Sequence, residues 1–524
     1  MPKAITPYEP GAEAQVFTGA VRGGNIDAGE RKAPMHRRLG AHFSRGFGMG
    51  VGKGEVQMAK KNGVPGARSG IKTRGVHLDL KGVPPTFKRL IGLLDVIKAA
   101  GYNALLVEWE DMFPWTVHRA FRCETAYSAR QVTRFHEEAA ARGLEVIPLV
   151  QCLGHMETAL SVHEFAHLRE VPYRSDGLNP LAAGARELVE DMVDDVLELT
   201  PGVKRFHLGG DEAWTLGKAP ETAAYIRKRG KAKLYLQHIE PILDRLNSRG
   251  VRPILWSDMM HDWPAAELRH IAREADLCPW GYDGHPDRWK HHSASRHIKR
   301  FAENGVTLWG ATAYKGATRH NADLCDFAQQ EENALAWVEV GKRYGLVGLF
   351  ATAWSRHSTH RTQTQPIDAC LDSLVNVGQI LRDGRAHGRE ACVALLGRTG
   401  ERKRFDACRA AMEKLADARK CGWGEVQRLR EQVTLETMDA RRRESGRAMG
   451  FLIELRRHLE VGAAQATADS KKAFKGLMEK IWIDRYLAER LEPLYEELAS
   501  LEGRVRVLEP GIYAEARGKR RWNE

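Results

Sequence analysis

From Arg74 onward the chain alternates short apolar runs, rich in β-branched residues, with longer stretches of helical spacing. The short runs are Gly75–Lys81, Ala104–Glu110, Glu145–Gln151, Arg205–Asp211, Pro253–Met259, Asp276–Tyr282, Thr307–Ala313 and Gly348–Trp354. Nearly continuous apolar runs of this length suit strands covered on both faces. Thr86–Ala100, Ala129–Arg142, Ala182–Leu199, Ala223–Ser248 and Ala322–Tyr344 lie between them with helix-compatible patterns, and Ile367–Leu381 follows the last. This repetition predicts a parallel sheet clothed in helices, and eight repeats favour closure into a (β/α)8 TIM barrel over residues 73–383.

The flanks are different. Residues 1–72 have little hydrophobic periodicity and much Gly, Arg and Lys, including Gly46-Phe47-Gly48-Met49-Gly50-Val51-Gly52, and are expected to form a flexible basic arm. That glycine run lacks the Gly-Lys-Ser/Thr ending of a phosphate-binding loop. Over residues 384–524 strand signals vanish, and Phe405–Lys420, Glu425–Leu459 and Lys471–Leu501 carry helical apolar spacing broken by Gly422, Gly424 and Gly462. A separate antiparallel helical bundle is expected there, offering a surface for homodimer formation.

Hydrophobic content of 43% and charged content of 28% belong to a globular chain of 524 residues. The formal charge of +12 is concentrated at the chain ends, where basic tails are usually solvated, so neither specific nucleic-acid nor membrane binding is expected. Eight cysteines without Cys-x-x-Cys spacing suit free thiols, and the first residues lack an apolar export core. Both point to the cytoplasm.

Candidate chemistry gathers at one end of the strands. Glu110-Asp111, Gln151 through His155, Asp211-Glu212, Trp256 through Asp258, Tyr282 and Trp354 fall at or just beyond C-terminal strand ends, the face where barrels place their ligands. In Arg205-Phe206-His207-Leu208-Gly209-Gly210-Asp211-Glu212-Ala213-Trp214, two glycines precede adjacent acids. A regular strand would send Asp211 and Glu212 to opposite faces, so they converge only if the strand ends at the glycines. An ordinary acidic helix start would give the same letters. Neighbouring acids with Trp109, Trp115, Trp214, Trp256, Trp280, Trp309 and Trp354 near the rim suggest glycosidic-bond cleavage, in which rings stack on sugar faces and a carboxyl protonates the leaving oxygen. Two other functions stay open. His77-x-Asp79, His155 and His207 could serve a metal-dependent hydrolase, although no His-x-His occurs, and a non-catalytic sugar-binding protein could use the same scaffold.

His207-Leu208-Gly209-Gly210-Asp211-Glu212 resembles the signature of glycoside hydrolase family 20, the β-N-acetylhexosaminidases. Val76 through Gly82, Glu108 through Pro114, Gly154 through Glu157, Phe165 through Val171 and Trp309 through Thr318 are similar to its hexosaminidase D branch. The resemblance spans roughly Arg74 to Leu381. It implies an exo-acting, retaining, cofactor-free hydrolase of terminal β-linked GlcNAc or GalNAc on oligosaccharides or glycoconjugates. The substrate's 2-acetamido oxygen would attack the anomeric carbon to give an oxazolinium intermediate. Asp211 would orient the acetamido group and Glu212 would act as acid and then base. Arg74 would clamp ring hydroxyls, and His155 would link Glu212 to Glu110 or Asp111. Trp256 and Trp354, with Trp309 in another matching block, would wall the sugar, and either Tyr282 or Tyr314 would bind the acetamido oxygen. Many family members carry Trp-x-Glu at the last strand; here the residues are Trp354-Ser355-Arg356, which leaves the gluco/galacto preference open.

Overall fold

Eight parallel strands form one sheet that nearly closes on itself in a computed structural model describing residues 68–288, 295–317, 323–355 and 363–518. In chain order the strands are β1 (Thr73–Asp79), β2 (Ala104–Glu108), β3 (Glu145–Leu149), β4 (Arg169–Val171), β5 (Arg174–Leu178), β6 (Arg205–His207), β7 (Arg252–Trp256), β8 (Asp276–Cys278), β9 (Trp309–Lys315) and β10 (Gly348–Ala353). The barrel order is β8-β7-β6-β3-β2-β1-β10-β9, and bridges from Leu277 to Leu308 and from Trp280 to Ala311 bring β8 beside β9. The sequence did not suggest β4 and β5, which form a small antiparallel hairpin inserted after β3. They are short and interrupted by Pro172, too little for an alternating pattern to register. The expected arm falls outside the described residues up to position 67.

All eight expected barrel strands are present, several stopping earlier than their apolar pattern suggests. β6 ends at His207 because Gly209 and Gly210 take φ of 60° and 80°, and β8 ends before Pro279, which has no N–H to donate. The expected helix over Ala223–Ser248 is two, Pro220–Arg229 and Lys231–Asn247, divided at Gly230 with φ 90° and ψ 156°.

Within the barrel the lining changes character along the strands. Low in the lumen Trp309 and Phe350 stack with ring centroids 4.8 Å apart, amid Ala104, Leu106, Ile147 and Ile254. Above them lie buried polar side chains, His77, Glu108 and His207. An apolar floor beneath a polar layer leaves the chemistry at the mouth.

The C-terminal helices depart from expectation at their glycines. Helix Arg402–Met438 runs straight through Gly422 and Gly424. A Cβ on Gly422 would lie 3.0 Å from Leu494 Cδ1, so this glycine lets helix Lys480–Leu508 pack closely rather than ending its own helix. Gly462 likewise sits within a π-helical turn, His458–Ala463, that joins Arg447–Arg457 to Ala464–Phe474 without a break. Lys414 pairs with Asp469 and His458 contacts the Ala418 carbonyl, whereas Arg419 and Arg430 reach Arg490 and Glu497. The three long segments therefore run up, down and up. They share one hydrophobic core with the barrel. Buried Arg89 reinforces the join by reaching Asp368 and Glu401, and Trp482 Nε1 donates to Thr125 at 2.7 Å.

Candidate active site

At the mouth the backbone is forced into conformations that side chains normally avoid. Four non-glycine residues have positive φ among the described residues, and three of them, Glu110 (51°), His155 (54°) and Glu212 (45°), lie on the loops after β2, β3 and β6. Such strain persists only where surrounding contacts impose it, and it concentrates at functional sites. Glycines provide the room. A Cβ on Gly154 would stand 1.9 Å from the Asp211 carbonyl oxygen, on Gly209 1.9 Å from Gln151 Oε1, and on Gly210 2.2 Å from the Tyr235 hydroxyl. That hydroxyl donates to the Gly210 carbonyl at 3.0 Å. Glu212 N–H donates to Asp258 Oδ2 at 2.9 Å, and Trp280 Nε1 donates to Asp258 Oδ1 at 3.3 Å. The acidic pair is thus gripped from β3, β7 and β8. Gly154→Ala is expected to cost roughly 1–3 kcal/mol through overpacking and to lower turnover by moving His155 from Asp211; a thermal melt with parallel kinetics checks both.

These contacts bring the adjacent acids together. His155 Nε2 is 3.5 Å from Asp211 Oδ2 and 3.3 Å from Glu212 Oε2. Burial opposes the charged imidazole, yet Asp211 and Glu212 outweigh it and raise the His155 pKa well above its ordinary value. Asp211 is 5% exposed, and its Oδ1 has no hydrogen-bond partner among the described residues. Glu212 is more open, its side chain 33% exposed. Both face a cleft of about 900 Å³, of the size of a small-molecule site.

Lys81 and Glu108 anchor the floor. Lys81 Nζ is 3.0 Å from Asp79 Oδ1, 3.0 Å from Glu108 Oε2 and 3.9 Å from Glu110 Oε1. Burial alone would raise the Glu108 carboxyl, but Lys81, His77 and Gln151 hold it well below the usual range. Glu110 goes the other way: burial lifts it, Lys81 only partly opposes, and Glu108 adds to the rise. Burial and the neighbouring Asp211 push Asp258 up to about 7. Burial pushes His207 down to about 3, leaving a neutral ring whose Nδ1 accepts the Gly209 N–H at 2.9 Å.

Asp211, Glu212, His155, Glu110, Tyr282 and Trp354 all line the cleft, and other expected site residues do not. Arg74 lies near the start of β1, at the opposite end of the strand. Its guanidinium donates to the carbonyls of Gly101 and Ile71 at 2.8 and 2.9 Å, which corrects the expected clamp on sugar hydroxyls. Trp309 opens β9 and fills the barrel floor. Trp256 is fully buried beneath the mouth, 4.2 Å from His207 and 6.2 Å from Trp354 by ring centroid, and only Trp354 reaches the cleft. Its companion wall is Trp280, stacked on Tyr282 at 5.5 Å. The two candidate tyrosines lie in different places. Tyr314 is buried and donates to the His77 carbonyl at 3.3 Å, whereas Tyr282 lines the cleft. Asp111 is outside the lining, its carbonyl taking the Cys123 N–H. Glu110 is held by Thr158 and Lys81, so the acid partner of the His155–Glu212 contact is Asp211 instead of a β2-loop residue. Arg356 lies outside the described residues.

Lys81, Glu108 and Glu157, which also line the cleft, received no role from sequence, and Asp258 was named there only as a residue at a strand end. A signal existed for the first: His77 and Asp79 alternate on β1 and Lys81 continues that spacing two residues past its end, and polar residues repeating along a barrel's inner face mark its functional end. Of the histidines considered as metal ligands, His77 pairs with Glu108 at 3.2 Å and His207 is committed to Gly209, while His155 serves the acids.

Known proteins resemble this chain in sequence and in fold. Residues 107–307 match the family model described as glycosyl hydrolase family 20, catalytic domain. Over 322 residues, or 59% of this chain, the sequence is 34% identical to hexosaminidase D of Bos taurus, covering 92% of that protein, and 34% identical to hexosaminidase D of Homo sapiens, covering 66%. Among solved structures, the chitobiase of Flavobacterium johnsoniae matches in fold with a TM-score of 0.50 at 13% identity, over 84% of this chain and 78% of that one.

Proposed function

The chain belongs to glycosyl hydrolase family 20 as a homologue of hexosaminidase D, and we propose that it removes terminal β-linked GlcNAc or GalNAc by exo-acting, retaining, substrate-assisted hydrolysis. The observation that carries this reading is the pairing of Asp211 and Glu212 on one imidazole, with Asp211 Oδ1 buried beside the cleft and unpartnered among the described residues. A buried carboxylate oxygen without a donor is costly. The amide N–H of a 2-acetamido group would satisfy it. Asp211 then orients the acetamido group and balances the positive charge that develops as its oxygen attacks the anomeric carbon. Attack forms the carbon–oxygen bond of the oxazolinium ring and breaks the glycosidic bond, whose oxygen takes the Glu212 proton. Glu212, now ionised, removes a proton from water as water opens the ring, and two inversions leave the anomeric configuration retained.

The surrounding groups support this division. The charged imidazole of His155 touches both acids, offsetting the charge of Asp211 throughout and that of Glu212 once its proton has gone to the leaving oxygen. Burial raises the Tyr282 pKa well above its ordinary value, so its hydroxyl stays a donor suited to the acetamido oxygen. Trp354 and Trp280 offer aromatic faces to the sugar, and Lys81 with Glu110 offers hydroxyl partners on the floor. All eight cysteines are free, which suits a cytoplasmic site of action.

A panel of aryl β-GlcNAc, β-GalNAc and unsubstituted β-glucosides, assayed without added metal, tests the proposal. Turnover of the acetamido sugars is expected, with the glucoside slower by orders of magnitude. Comparable turnover of the glucoside would remove the acetamido group from the chemistry.

A further inference from the structure

We infer that the leaving half of the substrate is anionic, its negative charge held in a second cleft that opens beside Glu212 across Trp214. The inference rests on the hydrolase reading above. Glu212 must face the glycosidic oxygen, so the aglycone starts at that side chain. Two residues on stands Trp214, 53% exposed and shared by the main cleft and a neighbouring one of about 520 Å³. Asp258 also lines this second cleft, and its carboxylate holds the Glu212 backbone N–H. The two spaces therefore meet at Trp214, two residues from the side chain that must protonate the leaving group, where an exposed indole is placed to carry an aglycone from one to the other.

The charge of the second cleft selects its occupant. Arg229, Lys231, Lys233 and Arg296 line it. Among its acids, Asp258 is committed to Glu212 and Trp280, and Glu267 pairs with Lys233 at 3.2 Å. That leaves Asp262 against Arg229 and Lys231. Among the described residues neither Arg229 nor Lys231 has an ion-pair partner; the Arg229 guanidinium lies over the Tyr225 ring, 5.7 Å from its centroid. The backbone adds to the imbalance. Helix Lys231–Asn247 starts in this cleft with no side-chain cap and no acid in its first turn, and it places Lys231 and Lys233 there instead. Cations at a helix N-terminus oppose the helix dipole, whereas an anion there is favoured by dipole, free N–H groups and lysines together. A carboxylate, sulfate or phosphate on the aglycone fits this environment.

The test uses the full chain and matched aryl β-N-acetylglucosaminides whose ring bears a carboxylate, a sulfonate or a neutral carboxamide. The readout is the anionic-to-neutral ratio of kcat/KM. A ratio of about tenfold is expected at low salt, the size of a charge-assisted contact, shrinking towards unity in molar salt. Arg229→Gln combined with Lys231→Gln should lower it by a similar factor. A ratio near one in the unaltered protein, indifferent to salt and to both substitutions, overturns the inference while leaving the hydrolase reading intact. Failure to turn over even the neutral glycoside contradicts the hydrolase reading itself and removes the basis of this one.

Discussion

Glu212→Gln is expected to lower kcat by about 10²–10⁴-fold on glycosides with poor leaving groups. Glutamine keeps the shape of the side chain but has no proton to give an alkoxide, and no base to take one from water. The loss should shrink on aryl glycosides whose leaving group departs without protonation. The fold should survive, because the substitution is isosteric and leaves the backbone N–H of this residue on Asp258. A Brønsted plot of kcat/KM against leaving-group pKa for both proteins separates the outcomes. A steeper dependence in Glu212→Gln is expected. Equal slopes with equal rates would move the acid role to another side chain.

Asp211→Asn is expected to cost about 10²–10³-fold in kcat, the range found when one preorganised electrostatic contact to a transition state is removed. Here the loss falls on the acetamido step, so leaving-group activation by added acid should not restore it. A thiazoline mimic of the oxazolinium intermediate should bind more weakly to the variant, whereas the simple product sugar should lose less. His155 provides an internal readout. Its charged form is sustained by Asp211 first and Glu212 second against burial, so removing the Asp211 charge should lower the imidazole pKa, visible by NMR titration. An unchanged thiazoline affinity would disconnect Asp211 from the intermediate.

The barrel was legible in the chain because its strands are buried on both faces and so are written as apolar runs that little else can mimic. The acid pair was legible because the two glycines before it stop β6. Position along a strand separates the candidates that reach the site from those that do not. Trp309 opens β9 and Trp354 follows the end of β10, so one fills the floor and the other reaches the mouth, although both are tryptophans in matching blocks. Arg74 fails for the same reason: near the start of β1 it cannot reach the C-terminal face. Other features depend on contacts between distant segments. The Gly154 approach to Asp211, the Asp258 brace under Glu212 and the Leu494 side chain over Gly422 become visible only when strands and helices are assembled. Gly422 shows the cost of reading glycine only as a helix breaker, since here it is a packing position inside a continuous helix.

The most direct measurement replaces the hydrogens of the substrate's acetyl methyl with fluorine, one at a time, and follows kcat/KM on otherwise identical aryl β-N-acetylglucosaminides. Each fluorine weakens the acetamido oxygen as a nucleophile while barely changing its size. If that oxygen attacks the anomeric carbon under the guidance of Asp211, the rate should fall steeply and log-linearly with the number of fluorines. A flat series would mean that the attacking atom belongs to water or to the protein.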